Sequence, residues 1–180
     1  EGYSFSSLSF RSKTERGSRT VKLQLSFFDR KESGAKCVAQ KYKLTLVREE
    51  SFSDYKIQGV ESAVEFLKKH LKLDSEPEEV FICLCFDVQL NIVGIFEVAR
   101  GTLDSALIST REIFKRALLT NCHSIIVAHN HPGGCSRPST EDIKTTQKIK
   151  DAAQLLDIKF NDHIIVTENS YYSFAEAGII

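Results

Sequence analysis

Two histidines separated by a single residue, His129 and His131, are followed eleven residues later by Asp142. On an extended segment, residues i and i+2 leave the same face, so the two imidazoles can converge on one ion. A carboxylate returning over them completes a set of two His and one Asp, with a fourth tetrahedral position left for water. That is the donor set of a catalytic zinc rather than a structural one. Zinc lowers the pKa of its water to about 7, which makes hydroxide available at neutral pH. Read alone, Ser139-Thr140-Glu141-Asp142 is a helix start before it is anything else, with Ser139 as N-cap and acidic residues favoured by the helix dipole; the His-x-His pair beside it is what favours a ligand role for Asp142. A carboxylate has two oxygens and can serve both purposes. The activated water still needs a carboxylate to take and return its proton. Glu78, Glu79 and Glu97 lie near strand ends, and spacing does not choose among them. Cys135, in the loop after the pair, is a candidate fourth ligand that would close the site.

The elements that must carry these residues are legible in the hydrophobic pattern. Ser124-Ile125-Ile126-Val127-Ala128 is too evenly apolar for a half-exposed strand, and reads as a buried central strand running directly into His129-Asn130-His131-Pro132. Ligands of α/β folds collect at the carboxyl ends of such strands. A loop, GGCSRP, leads into a helix from Ser139 to about Leu156, with Ile143, Ile149, Ala153 and Leu156 expected inward. Upstream, Val60, Val64, Leu67 and Leu71 recur at helical spacing in a helix ending before Pro77. VFICLCFDV and IVGIFEV read as an antiparallel pair around a polar turn. Ser109-Thr110-Arg111-Glu112 has the form of a capping box, opening a helix with Ile113, Phe114, Ala117 and Leu118 on one face and Asn121 at its end. HIIVT and YYSF close the chain as strands. Helices interleaved with strands imply an α/β fold, a mixed sheet sandwiched by helices.

With 180 residues, 42% hydrophobic and 27% charged, the chain has the length and composition of an ordinary globular domain and is not a disordered one. There is no run of 18 apolar residues, which excludes a membrane-spanning helix of the usual length, and no signal peptide is visible at the start. Five cysteines without a regular framework point to a reducing, cytoplasmic setting, with Cys83 and Cys85 as buried apolar residues. The net charge of zero hides an asymmetry: residues 1–50 hold 11 Lys/Arg against 6 Asp/Glu. Basic residues scattered singly more often make a solvated surface than a nucleic-acid footprint. Residues 1–57 are expected to form an N-terminal extension, partly disordered, with a possible β-hairpin built from Val21, Leu23, Leu25, Phe27 and Tyr42, Leu44, Leu46. Residues 58–180 form the domain that carries the chemistry.

Taken together, Glu79-Val80-Phe81, the GTLDSA run at Gly101–Ala106, REIFKRAL at Arg111–Leu118, AHNHPGG, and Pro138-Ser139-x-x-Asp142 resemble the RadC family. The resemblance covers roughly residues 58–180. It implies a JAB/MPN domain of cytidine-deaminase-like layout with the JAMM metalloprotease motif: a Glu, then His-x-His-Pro, then Ser-x-x-Asp. Carried over residue by residue, it makes His129, His131 and Asp142 the zinc ligands. It makes Glu79 the catalytic carboxylate in preference to Glu97, and Ser139 a donor to the tetrahedral oxyanion. Gly134 and Cys135 stand where the family more often has Ser-Gly, a departure that leaves the ligands untouched. The expected form is a short one, without the helix-hairpin-helix region of longer members.

The function this implies is zinc-dependent hydrolysis of peptide or isopeptide bonds. The competing expectation is a DNA-repair-associated accessory protein or metal-dependent nuclease without peptidase activity, against which the neutral charge argues. A zinc nucleobase deaminase needs H-x-E and P-C-x-x-C, neither of which is present.

Overall fold

Alternation of side chains on one buried strand organises the fold. The computed structural model describes residues 56–101 and 108–180; the hairpin expected from residues 21–46 lies outside them, as does the rest of the expected extension apart from residues 56 and 57. Strand β3 (Ser124–Asn130) is buried along its whole length. It lies at the centre of a five-stranded sheet of order β2-β1-β3-β4-β5, formed with β1 (Val80–Phe86), β2 (Ile92–Arg100), β4 (Lys159–Val166) and β5 (Tyr171–Ser173). β3 runs antiparallel to β1 and parallel to β4, so the sheet is mixed. A strand with neighbours on both edges and helices on both faces has no solvent face, which is why residues 125–128 are all apolar.

The two faces bury separate clusters. Val80, Ile82, Leu84 and Phe86 of β1 meet Ala63, Phe66 and Leu67 of helix α1 (Val60–Lys69). The alternate residues Phe81, Cys83 and Cys85 meet Ile113, Phe114 and Ala117 of α2 (Thr110–Thr120), and Ile149 and Ala153 of α3 (Thr140–Leu155). β1 and β2 are joined by a turn in which the Asp87 carboxylate accepts from the backbone of Gln89 and Asn91 at 2.8 and 2.9 Å. Asn121 ends α2 in the left-handed conformation, φ 52°, which Asn tolerates better than most residues. Cys83 and Cys85 are buried, and the four cysteines among the described residues are free thiols.

Three local expectations change. Ser109 precedes α2 but its side chain caps nothing; Glu112 pairs instead with Lys115 and Arg116 one turn on. Leu118 of α2 is 57% exposed, because the sheet side of that helix is filled by Ile113, Phe114 and Ala117. On α3 the inward face is Thr145, Thr146, Ile149 and Ala153, while Ile143 and Leu156 are exposed. Ile143 lies on a different side of the helix from Ile149, and Leu156 is already the C-cap. The polar pair Thr145-Thr146 masked the buried stripe in the sequence. No helix of the described residues is long and apolar enough to cross a membrane.

Candidate metal centre

The site forms where β3 ends and α3 begins. Strand geometry sends His129 and His131 to the same side, and their Nε2 atoms stand 3.0 Å apart. The loop after His131 turns back at once: Gly134 N–H donates to the His131 carbonyl at 3.0 Å, and Gly134 has φ +79°, a conformation that a residue with a Cβ adopts at a cost. The returning chain starts α3 with Ser139 as N-cap and Asp142 at its third position, in a reciprocal capping box. Asp142 Oδ2 accepts from Ser139 N–H at 2.7 Å and from Ser139 Oγ at 2.6 Å. Its other oxygen, Oδ1, is 3.2 Å from His129 Nε2, and Oδ2 is 3.6 Å from His131 Nε2. Asp142 thus caps its helix and faces the histidines with the same carboxylate. One donor atom from each of His129, His131 and Asp142 lies within 4.8 Å of the others.

Hydrogen bonds behind the rings decide which nitrogen of each carries the proton. His131 Nδ1 is 2.8 Å from the Cys135 carbonyl; a carbonyl only accepts, so Nδ1 holds the proton. In the uncharged ring, Nε2 is then a bare lone pair. His129 is 1% exposed and its Nδ1 lies 2.9 Å from Nε2 of His163. His163 is fully buried, stacked on Phe174 with centroids 4.7 Å apart, and its Nδ1 is 2.6 Å from Thr146 Oγ1.

The electrostatics call for positive charge between the rings. Burial alone would raise the Asp142 carboxyl; the His129 and His131 imidazoles beside it and the Ser139 hydroxyl outweigh it and hold it well below the usual carboxylate range. The His131 imidazole is raised, chiefly by the Asp142 carboxylate, with burial opposing and Glu79 contributing. Burial, chiefly, with His129 beside it, holds the His163 imidazole well below its ordinary range. A proton on His131 or a metal ion answers the same need.

The three glutamates separate by face and register. β1 and β3 pair with Phe81 opposite His129; continued two residues past that pair, the alternation brings Glu79 to the histidine side of the sheet, and its charge helps to raise the His131 imidazole. Glu78 alternates away and is exposed. Glu97 pairs with Ile82, on the opposite face, and is held by Arg100 at 2.8 and 3.0 Å. Asn130, between the histidines and fully buried, positions Glu79. Its Nδ2 donates to the carbonyls of Glu76 and Glu78 at 3.1 and 2.9 Å, and its Oδ1 accepts from Val80 N–H at 2.7 Å. The Cys135 sulfur is not part of the metal-competent cluster; what that residue contributes is its backbone carbonyl. Ser139 is exposed and its hydroxyl proton is directed at Asp142. Asn130, Thr146 and His163 were not singled out from the sequence. His163 alone had a signal there, a histidine inside the apolar HIIVT strand.

The chain has relatives. Residues 57–179 match the family described as RadC-like JAB domain. A UPF0758 protein of Nitrosococcus oceani is 44% identical over 109 residues, 61% of this chain and 49% of its own. Another, of Paraburkholderia xenovorans, is 38% identical over 122 residues, 68% of this chain and 47% of its own. The chain thus spans about half the length of the relatives it matches.

Proposed function

The chain belongs to the RadC-like JAB domain family, and on that footing we propose that it is a zinc-dependent hydrolase of peptide or isopeptide bonds. The observation that carries the reading is the convergence of two Nε2 atoms and a carboxylate oxygen within 4.8 Å. On a neutral His131 the Nδ1 proton is directed away from the centre, at the Cys135 carbonyl, so the arrangement lacks a positive charge unless a proton or a metal ion supplies it. His129, His131 and Asp142 would hold the ion, and the donor set of two imidazoles and one carboxylate suits zinc with a position open. Zinc in such a site supplies a nucleophile at neutral pH and polarises the bond to be broken.

The remaining work falls to side chains. Glu79 takes the proton of the attacking water and returns it to the leaving amine, so that C–N cleavage ends as free acid and free amine. Asn130 keeps the Glu79 backbone in place during both transfers. Ser139 donates to the oxyanion once its hydroxyl turns from Asp142, whose Oδ2 keeps the Ser139 N–H meanwhile. The free cysteines support a cytoplasmic setting. A DNA-associated role without peptidase activity is the second outcome of the test. Metal analysis of the purified chain, with cleavage assays on peptide, isopeptide and DNA panels, decides between them. Zinc-dependent cleavage of a peptide or isopeptide is expected; cleavage of DNA alone overturns the reading.

A further inference from the structure

We propose that His163 and Thr146 are a positioning pair that holds the His129 proton on Nδ1 and thereby presents its bare Nε2 to the metal, an inference that rests on the metal-site reading above. The argument begins at an acceptor that cannot reverse. The backbone carbonyl of Asp142 is 2.7 Å from Thr146 Oγ1, and only the hydroxyl can supply the proton between them. With its one proton spent there, Thr146 Oγ1 must accept at its 2.6 Å contact, so His163 Nδ1 carries a proton. An uncharged His163 then has a bare Nε2, which accepts from His129 Nδ1 at 2.9 Å. The direction of every bond is set by the first.

The arrangement costs more than packing requires. His163 lies between the rings of Phe81 and Phe174, where an aromatic hydrocarbon would fill the space without desolvating two nitrogens. Both nitrogens are used instead, in one order. The chain starts on the backbone of Asp142, crosses from α3 to β4, and ends at His129 on β3. It therefore ties α3, which carries Asp142, to β3, which carries His129, through a residue that is not itself a candidate ligand. Outer hydrogen-bond partners of this kind set ligand orientation and tautomer.

The test uses the full chain with ¹⁵N-labelled histidine, first free of metal. His163 is expected to be protonated on Nδ1 and bare on Nε2; a proton on His163 Nε2 in the parent protein overturns the proposal. Thr146→Val keeps the shape but removes the acceptor, so the His163 proton is expected to redistribute toward Nε2. Zinc affinity, measured by competition with a chromophoric chelator, is expected to fall roughly 10–100-fold. His163→Phe fills the ring space without an acceptor and should show a similar loss, while His163→Gln, which can accept from His129 and donate to Thr146, should recover most of it. Folding is followed by far-ultraviolet circular dichroism, and if His163→Phe does not fold, Thr146→Val and the parent spectrum decide. Zinc affinity indifferent to Thr146→Val overturns the proposal alone. A parent chain that binds no zinc overturns the metal-site reading, and this inference with it.

Discussion

The Asn130 side chain accepts the Val80 N–H at 2.7 Å, so the residue between the two histidines of β3 also grips the start of β1. Its amide donates on the other side of Glu79, to the carbonyls of Glu76 and Glu78. The imidazoles leave the strand on one face and the carboxamide on the other, where it binds the backbone of Glu76, Glu78 and Val80.

Asn130→Ala should therefore do two things. It strands buried backbone groups, at about 1–3 kcal/mol for each group left without a partner, which a thermal melt reads. It should also lower the rate of hydrolysis while zinc stays bound, because the ligands themselves are untouched. Loss of zinc with full retention of the fold would contradict this assignment.

His129→Ala and His131→Ala each leave two protein ligands where an open zinc site takes three. Zinc measured by elemental analysis is expected at about one per chain in the parent and to be lost in the variants. Full occupancy in a chain carrying both substitutions rules the site out.

Asp142→Asn separates the two duties of that carboxylate. The amide oxygen can still accept from Ser139, so the cap should weaken by at most about 1 kcal/mol, while the anionic ligand is gone. The expected result is a folded chain with much weaker zinc binding in a chelator competition. Unchanged affinity would leave Asp142 a helix cap and nothing more.

Glu79→Gln keeps the shape but cannot take the water's proton. Zinc should remain and the hydrolysis rate should drop at least ~10²-fold. Glu97→Gln should do little, since Glu97 lies on the opposite face in an ion pair with Arg100. Inactivation by the second variant and not the first would move the chemistry to the wrong side of the sheet for these histidines.

pH gives opposite trends with and without metal. His131 is raised above its ordinary 6.5, mainly by Asp142, so its protonation stabilises the metal-free fold below that value and ceases to as pH rises through the raised pKa. Asp142 is lowered from 3.8 against its own burial, so its contribution is present above 3.8 and is lost only as pH falls through the depressed value. The pair therefore stabilises the metal-free chain most between about 3.8 and 6.5 and fades on the alkaline side. Zinc must displace the His131 proton, so its stabilisation should grow with pH. Melts across about pH 5–9 with chelator and with zinc should diverge on the alkaline side; parallel curves would mean that His131 and zinc do not compete.

What the sequence by itself determined is local. His129 and His131 share a face because strand period is two, and that holds whatever surrounds them. Ser139 and Asp142 meet because a capping box closes within one turn of helix. The uniform apolarity of residues 124–128 already required a strand covered on both edges and both faces. The choice of Glu79 over Glu97 came from family resemblance rather than spacing, and only register and face could give it a physical basis, since both carboxylates stand near strand ends in the sequence. Asn130 and Thr146 were silent for the same reason, and His163 stood out only as a histidine in an apolar strand, with no sign of its partners. Each acts through hydrogen bonds to residues 17 to 54 positions away, apart from Thr146's bond to Asp142. A partner at that distance in the chain has no periodicity to announce it; pairing β1 and β4 against β3, with α3 packed across them, brought those groups within reach.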